Sequence, residues 1–110
     1  VGHNEATLGS GRAYLLEALR DIYLGAGETN PIDIPDRARV RLTATHAIHS
    51  AIAVADWVYK EAGVSAIFPG APFERRFRDM HTLSQQIQSR GSHYEAAGQV
   101  LLGTPPEVYF

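Results

Sequence analysis

The sequence contains no cysteine. That excludes a disulfide scaffold and any metal site built on thiolates, and it suits a cytoplasmic protein. No apolar run is long enough to span a bilayer, and no signal peptide is visible. An excess of one charge is also missing. Ten Lys and Arg stand against twelve Asp and Glu, a net charge of −2 with no basic block. Nothing there points to nucleic acid or an anionic membrane as a partner. Strand signals, internal repeats and low-complexity runs are absent. No Gly-rich phosphate loop follows a strand, and no Ser-His-Asp spacing marks a nucleophile. The first residue is Val1 rather than Met, so the chain is expected to be a fragment, a proteolytic product or a trimmed piece of something longer.

What the sequence does contain is helical periodicity. The 110 residues, 45% of them hydrophobic, suffice for one domain with one core. A first helix is predicted over 5–24, capped by Asn4, with Leu8, Leu15, Leu19 and Ile22 on one face and Gly25 as its stop. Two prolines in 28–35 make a connection. A second, longest helix is predicted over 36–62, with Pro35 in its first turn and Gly63 as its stop. Val40, Ala44, Ala47, Ala51, Val54, Val58 and Ala62 form one apolar stripe. Ile48, Ile52, Ala55 and Tyr59 form a second. Two stripes on one helix predict cover by partner subunits or domains, and hence self-association. A connection over 64–72 carries apolar residues suited to a hydrophobic seat. A short fourth helix opens at Ser92 with a capping box to Glu95, presents Tyr94, Ala97 and Leu101, and stops at Gly103. Residues 104–110 read as a loose tail. The expected fold is all-α: one antiparallel four-helix bundle over 1–110, with three long helices and one short.

The third helix, predicted over 73–90, is the unusual one. Phe73, Phe77, Met80 and Ile87 make an ordinary apolar face. The other face begins charged, then from His81 to Ser89 carries only neutral hydrogen-bonding groups. Solvated helix faces favour Lys and Glu, so this neutral run predicts a face turned toward a pocket, a subunit contact or a polar layer. Asp79, Thr82 and Gln86 share one side, and Arg75 and Asp79 are spaced to pair. His46 and His49, three apart on the second helix, could share a metal, but no carboxylate completes the set there. A small metal-binding bundle using His46, His49 and His81 is the least favoured reading. Asp56 is expected to face solvent.

The string Phe73-Glu74-Arg75-Arg76-Phe77-Arg78-Asp79, followed by His81, Gln85-Gln86 and Gly98-Gln99-Val100-Leu101-Leu102-Gly103, resembles the C-terminal helical domain of the acyl-CoA dehydrogenase superfamily. It is most similar to the branch containing the two-component flavin monooxygenases. Arg12-Ala13-Tyr14-Leu15-Leu16 and Ala62-Gly63-Val64-Ser65 fit the same pattern, so the likeness runs from about Ala6 to Gly103.

The resemblance implies a longer flavoenzyme, using FAD or FMN, in which these bundles pack at the centre of a homotetramer or dimer. It implies a small-molecule substrate, acyl-CoA or aromatic, and in the monooxygenase branch a separate flavin reductase. It places Gly63 and Ser65 near the flavin, with Arg78 and Asp79 holding the pocket wall. Dehydrogenases of the family often carry a catalytic glutamate where this chain has about Ile87, and the residues around it are Gln85, Gln86 and Gln88. The monooxygenase branch often has His at Gln86, the candidate catalytic position here. An amide hydrogen-bonds but takes no proton at neutral pH. This piece alone is not expected to turn over substrate. The alternative, from another class, is a stand-alone helical oligomerisation or scaffold module.

Overall fold

The computed structural model describes residues 1–25, 31–63, 70, 72–86 and 89–106. They form four helices: α1 (Gly2–Gly25), α2 (Ile34–Ala62), α3 (Pro72–Leu83) and α4 (Ser92–Leu101). No strand occurs among the described residues. The fold is the all-α, antiparallel four-helix arrangement that the periodicity predicts.

The hub is α2. Asp33 caps it in extended conformation, its Oδ1 accepting the Asp36 amide at 2.9 Å. Pro35 sits in the first turn, where its missing N–H costs nothing. Gly63 closes the other end with φ 59°, a left-handed value that favours glycine. Thr43 and Thr45 are both fully buried, although two helix positions lie on nearly opposite sides. Thr43 satisfies its hydroxyl by donating to the carbonyls of Arg39 and Val40. So α2 is covered on two sides, and the cover comes from this same chain: α1, α3 and α4 all pack on it. The residues of the two apolar stripes themselves stay half-buried.

All three neighbours run antiparallel to α2. Gly11 of α1 lies against Ser50 and Ala47, while Asp21 reaches Arg39 at 3.0 Å. Phe77 of α3 stacks on Tyr59, and His81 meets Asp56. Tyr94 of α4 meets His49. Thus α3 and α4 lie end to end along α2, α3 on its C-terminal half and α4 on its N-terminal half. The body measures 55 × 27 × 23 Å.

Three local expectations are corrected. The α1 seam uses small residues, Gly11 and Ala18, rather than the leucines. A Cβ on Gly11 would meet Ser50 Oγ at 3.4 Å, so the two backbones come close, and Leu8 and Leu19 stay partly outside. Asn4 lies inside α1, which starts at Gly2. The capping box of α4 is not formed. Gly91 is the cap, with no side-chain bond, and the buried face is His93, Ala96 and Ala97, leaving Leu101 outside. At the far end Thr104 is tied to the Gln99 carbonyl by its amide and its hydroxyl, each at 2.9 Å.

The fully buried apolar side chains among the described residues are alanines: Ala18, Ala38, Ala96 and Ala97. Many larger ones are left outside. The chain exposes 7800 Å², against about 6000 Å² expected of a folded monomer of 12.0 kDa.

Candidate functional site

The polar run of the sequence falls where α3 gives way to α4. The predicted helix over 73–90 stops at Leu83, and turns follow. Serine side chains explain the stop, because they offer the backbone alternative partners. Ser84 Oγ donates to the His81 carbonyl at 2.5 Å, and Ser89 Oγ donates to the Leu83 carbonyl at 3.1 Å. The amides of Gln85 and Gln86 bond three residues back, to Thr82 and Leu83. The described neutral residues therefore share no continuous face: Thr82, Gln85 and Gln86 are exposed, whereas Ser84 and Ser89 bond the end of α3.

This connection is anchored to α2 by two histidines. His49 Nε2 donates to the Ser89 carbonyl at 2.6 Å. Tyr94 stands edge-on to that imidazole at 5.7 Å, and burial raises the Tyr94 phenol above its ordinary pKa. Two turns further along α2, Asp56 Oδ1 meets His81 Nε2 at 2.5 Å. A carboxylate only accepts, so Nε2 carries the hydrogen. Phe77 lies over His81 at 4.5 Å, and Tyr59 stacks on Phe77 at 4.3 Å. A carboxylate, an imidazole and two aromatic rings thus form one ladder between α2 and α3. Asp56 is not the solvent-facing residue the sequence predicts; the His81 ring draws it into the helix contact.

The candidate residues named from the sequence are less closely grouped. Arg78 and Asp79 are neighbours on α3 and both largely exposed, with side chains 71% and 69% accessible. Arg78 faces Glu74 at 3.8 Å, and Asp79 faces Arg75 at 3.9 Å. These are surface pairs worth a fraction of a kcal/mol, about 0.3–0.5 each. The Arg75–Asp79 pairing that the spacing predicts thus forms on the surface. Asp79 does line an apolar cleft of about 360 Å³ between α1, α2 and α3, beside Arg76, Phe73 and Met80. Gly63 ends α2 beside the start of α3, whereas Gln86 follows the end of α3. A helix of 12 residues, about 18 Å, separates the two. Ser65 and Ile87 lie outside the described residues, as does most of the 64–72 connection.

His46 and His49 serve different neighbours. His46 sits against the Tyr14 ring of α1 at 6.5 Å, while His49 faces the Ser89 carbonyl ahead of α4. Among the described residues no three His, Asp or Glu side chains cluster as metal ligands. None of their helices is long and apolar enough to cross a membrane.

The profile of the acyl-CoA dehydrogenase C-terminal domain matches residues 1–90. The chain belongs to this family. The acyl-CoA dehydrogenase domain is also similar to an indole-3-acetate monooxygenase of Pseudomonas putida, 29% identical over 108 residues. The alignment takes in 96% of this chain and 27% of that relative, so the chain spans about a quarter of the relative's length. Proteins of the family are flavoproteins. Arg76 and Arg78 are exposed cations on α3, and among the described residues nothing lies within 4 Å of a Cβ built on Gly63.

The Asp56–His81 pair was not legible as a site. Its members lie 25 residues apart on different helices. The signals available were one acid among apolar residues of α2 and the histidine that opens the neutral run.

Proposed function

We propose that this chain is the C-terminal helical domain of a flavin-dependent oxidoreductase, the oxygenase component of a two-component monooxygenase acting on a small aromatic substrate. The observation that carries the reading is the family match together with the likeness to a monooxygenase over almost the whole chain. Two features support the oxygenase branch over acyl-CoA dehydrogenation. Residues 85–88 hold no carboxylate to take a substrate proton. The likeness to a monooxygenase over almost the whole chain is the second.

In this reading Gly63, Ser65, Arg78 and Asp79 line the flavin side, and Gln86 hydrogen-bonds substrate. The domain also contributes the contact that joins subunits. Reduced FAD or FMN supplied by a separate reductase would give two electrons to dioxygen, one oxygen atom entering the substrate and the other leaving as water. Arg78 would pair with flavin phosphate, a charge-assisted bond its exposed guanidinium can make without losing a strong partner.

The test uses the full-length protein. Arg78→Ala should weaken flavin affinity about tenfold to a hundredfold, the range of a hydrogen bond to a charged group. Isothermal titration with FAD and FMN, oxidised and reduced, measures it. Unchanged affinity would remove Arg78 from the flavin side.

A further inference from the structure

We infer that His49 and Asp56 are positioning residues for Gln86: from α2 they hold the chain on either side of it and so fix where its side-chain amide meets substrate. The inference deepens the proposed function and rests on its reading of Gln86. His49 and Asp56 lie two turns apart on one face of α2, about 10.5 Å along the helix. Each holds one point of the neighbouring chain. Asp56 Oδ1 holds His81 Nε2 at 2.5 Å, and His49 Nε2 holds the carbonyl of the buried Ser89 at 2.6 Å. Gln86 stands between those two points.

Two held points alone would not define a position, because the residues from 81 to 89 could reach about 28 Å if extended. Local bonds remove that freedom. Gln86 donates its backbone N–H to the Leu83 carbonyl at 3.1 Å, and its own carbonyl accepts the Ser89 N–H at 3.0 Å. Ser84 Oγ bonds the His81 carbonyl, and Ser89 Oγ bonds the Leu83 carbonyl. Both backbone polar groups of Gln86 are thereby tied to residues within the stretch that α2 holds. Its side chain is exposed. Of the two exposed glutamines, Gln85 is engaged by Ser84 Oγ at 3.3 Å, whereas among the described residues no group bonds the Gln86 amide. An amide acts on a ligand only within a narrow range of distance and angle, so a drift of about 1 Å removes its effect.

The test is a set of double-mutant cycles on the full-length flavin-loaded protein, read as calorimetric affinity for the aromatic probe indole-3-acetate. Gln86→Ala should weaken binding about tenfold, the value of one good hydrogen bond. Asp56→Leu and His49→Leu should each weaken it by a similar factor. Added to Gln86→Ala, neither should cost more than about another twofold, because the amide they position is already gone. Asp56→Asn, which still accepts, and His49→Gln, which still donates, should keep most of the affinity. Circular dichroism checks that each variant stays helical. Hydrogen exchange reads the hold on the chain without substrate: the Gln86 and Ser89 amides should be protected in the wild type and exchange faster in both leucine variants. Unprotected wild-type amides, leucine variants that bind like the wild type, or losses that multiply fully with that of Gln86→Ala would overturn the inference. Unchanged affinity in Gln86→Ala, or a flavin-loaded protein that does not hold the probe, would also overturn it while leaving the flavoenzyme reading standing. A protein that holds no flavin would bring down both.

Discussion

Replacing Ala18 by leucine should destabilise the chain by about 1–3 kcal/mol, the usual cost of forcing extra methylenes into a filled contact. Ala18 is fully buried in the α1–α2 seam, two turns from Gly11, whose position leaves room for no more than an ordinary contact with Ser50. Both long helices depend on small residues there, so a leucine must push them apart or leave its rotamer. The change in helix propensity is small and does not mask the effect. Ala13, exposed on the same helix, gives the control: leucine there should alter stability by less than about 0.5 kcal/mol. Urea denaturation followed by circular dichroism measures both. An Ala18→Leu variant as stable as the wild type would mean the helices sit further apart than the structure places them.

The proposed subunit contact predicts that the chain self-associates and that a double change on the outer side of α1, Leu19→Glu with Tyr23→Glu, leaves it monomeric. Leu16, Leu19 and Tyr23 line an open groove with Ile32, and Tyr23 is 82% accessible. Leu101 and Leu102 add further bare apolar surface at the end of α4. The excess of 7800 Å² over about 6000 Å² is enough for roughly two patches of the size a stable interface takes from each partner, about 800 Å². Two carboxylates buried without partners would cost several kcal/mol, enough to lower the association constant by about a hundredfold or more. Sedimentation velocity of wild type and variant decides. A monomeric wild type at high concentration would show that this surface is covered by other parts of a longer protein instead.

Much of the fold is legible because punctuation and period agree. Pro35 and Gly63 bracket α2, and the three-and-four spacing of its apolar residues runs the whole length. What reading misses is close approach and side-chain competition. Hydrophobic rank puts Leu8 and Leu19 inside, but the near contact of two backbones selects Gly11 and Ala18. The run from His81 to Ser89 continues a helical pattern, yet Ser84 and Ser89 bond backbone carbonyls and the helix stops at Leu83. The Ser92–Glu95 spacing forms no capping box, because Gly91 rather than Ser92 takes the cap position, already in helical conformation. The Arg78-Asp79 pair marks the family, while the site with the firmest geometry, Asp56 with His81, depends on two helices meeting and leaves no local signature.

Flavin binding by the protein translated from the complete reading frame tests the central claim most directly. Fluorescence titration with FAD and FMN, each oxidised and reduced, is the measurement. The account predicts tight binding of reduced flavin and much weaker binding of the oxidised form, as suits an oxygenase fed by a separate reductase. Tight binding of oxidised FAD would contradict the oxygenase assignment and indicate a dehydrogenase whose base lies outside this chain. No binding in either state would contradict the flavoenzyme reading itself.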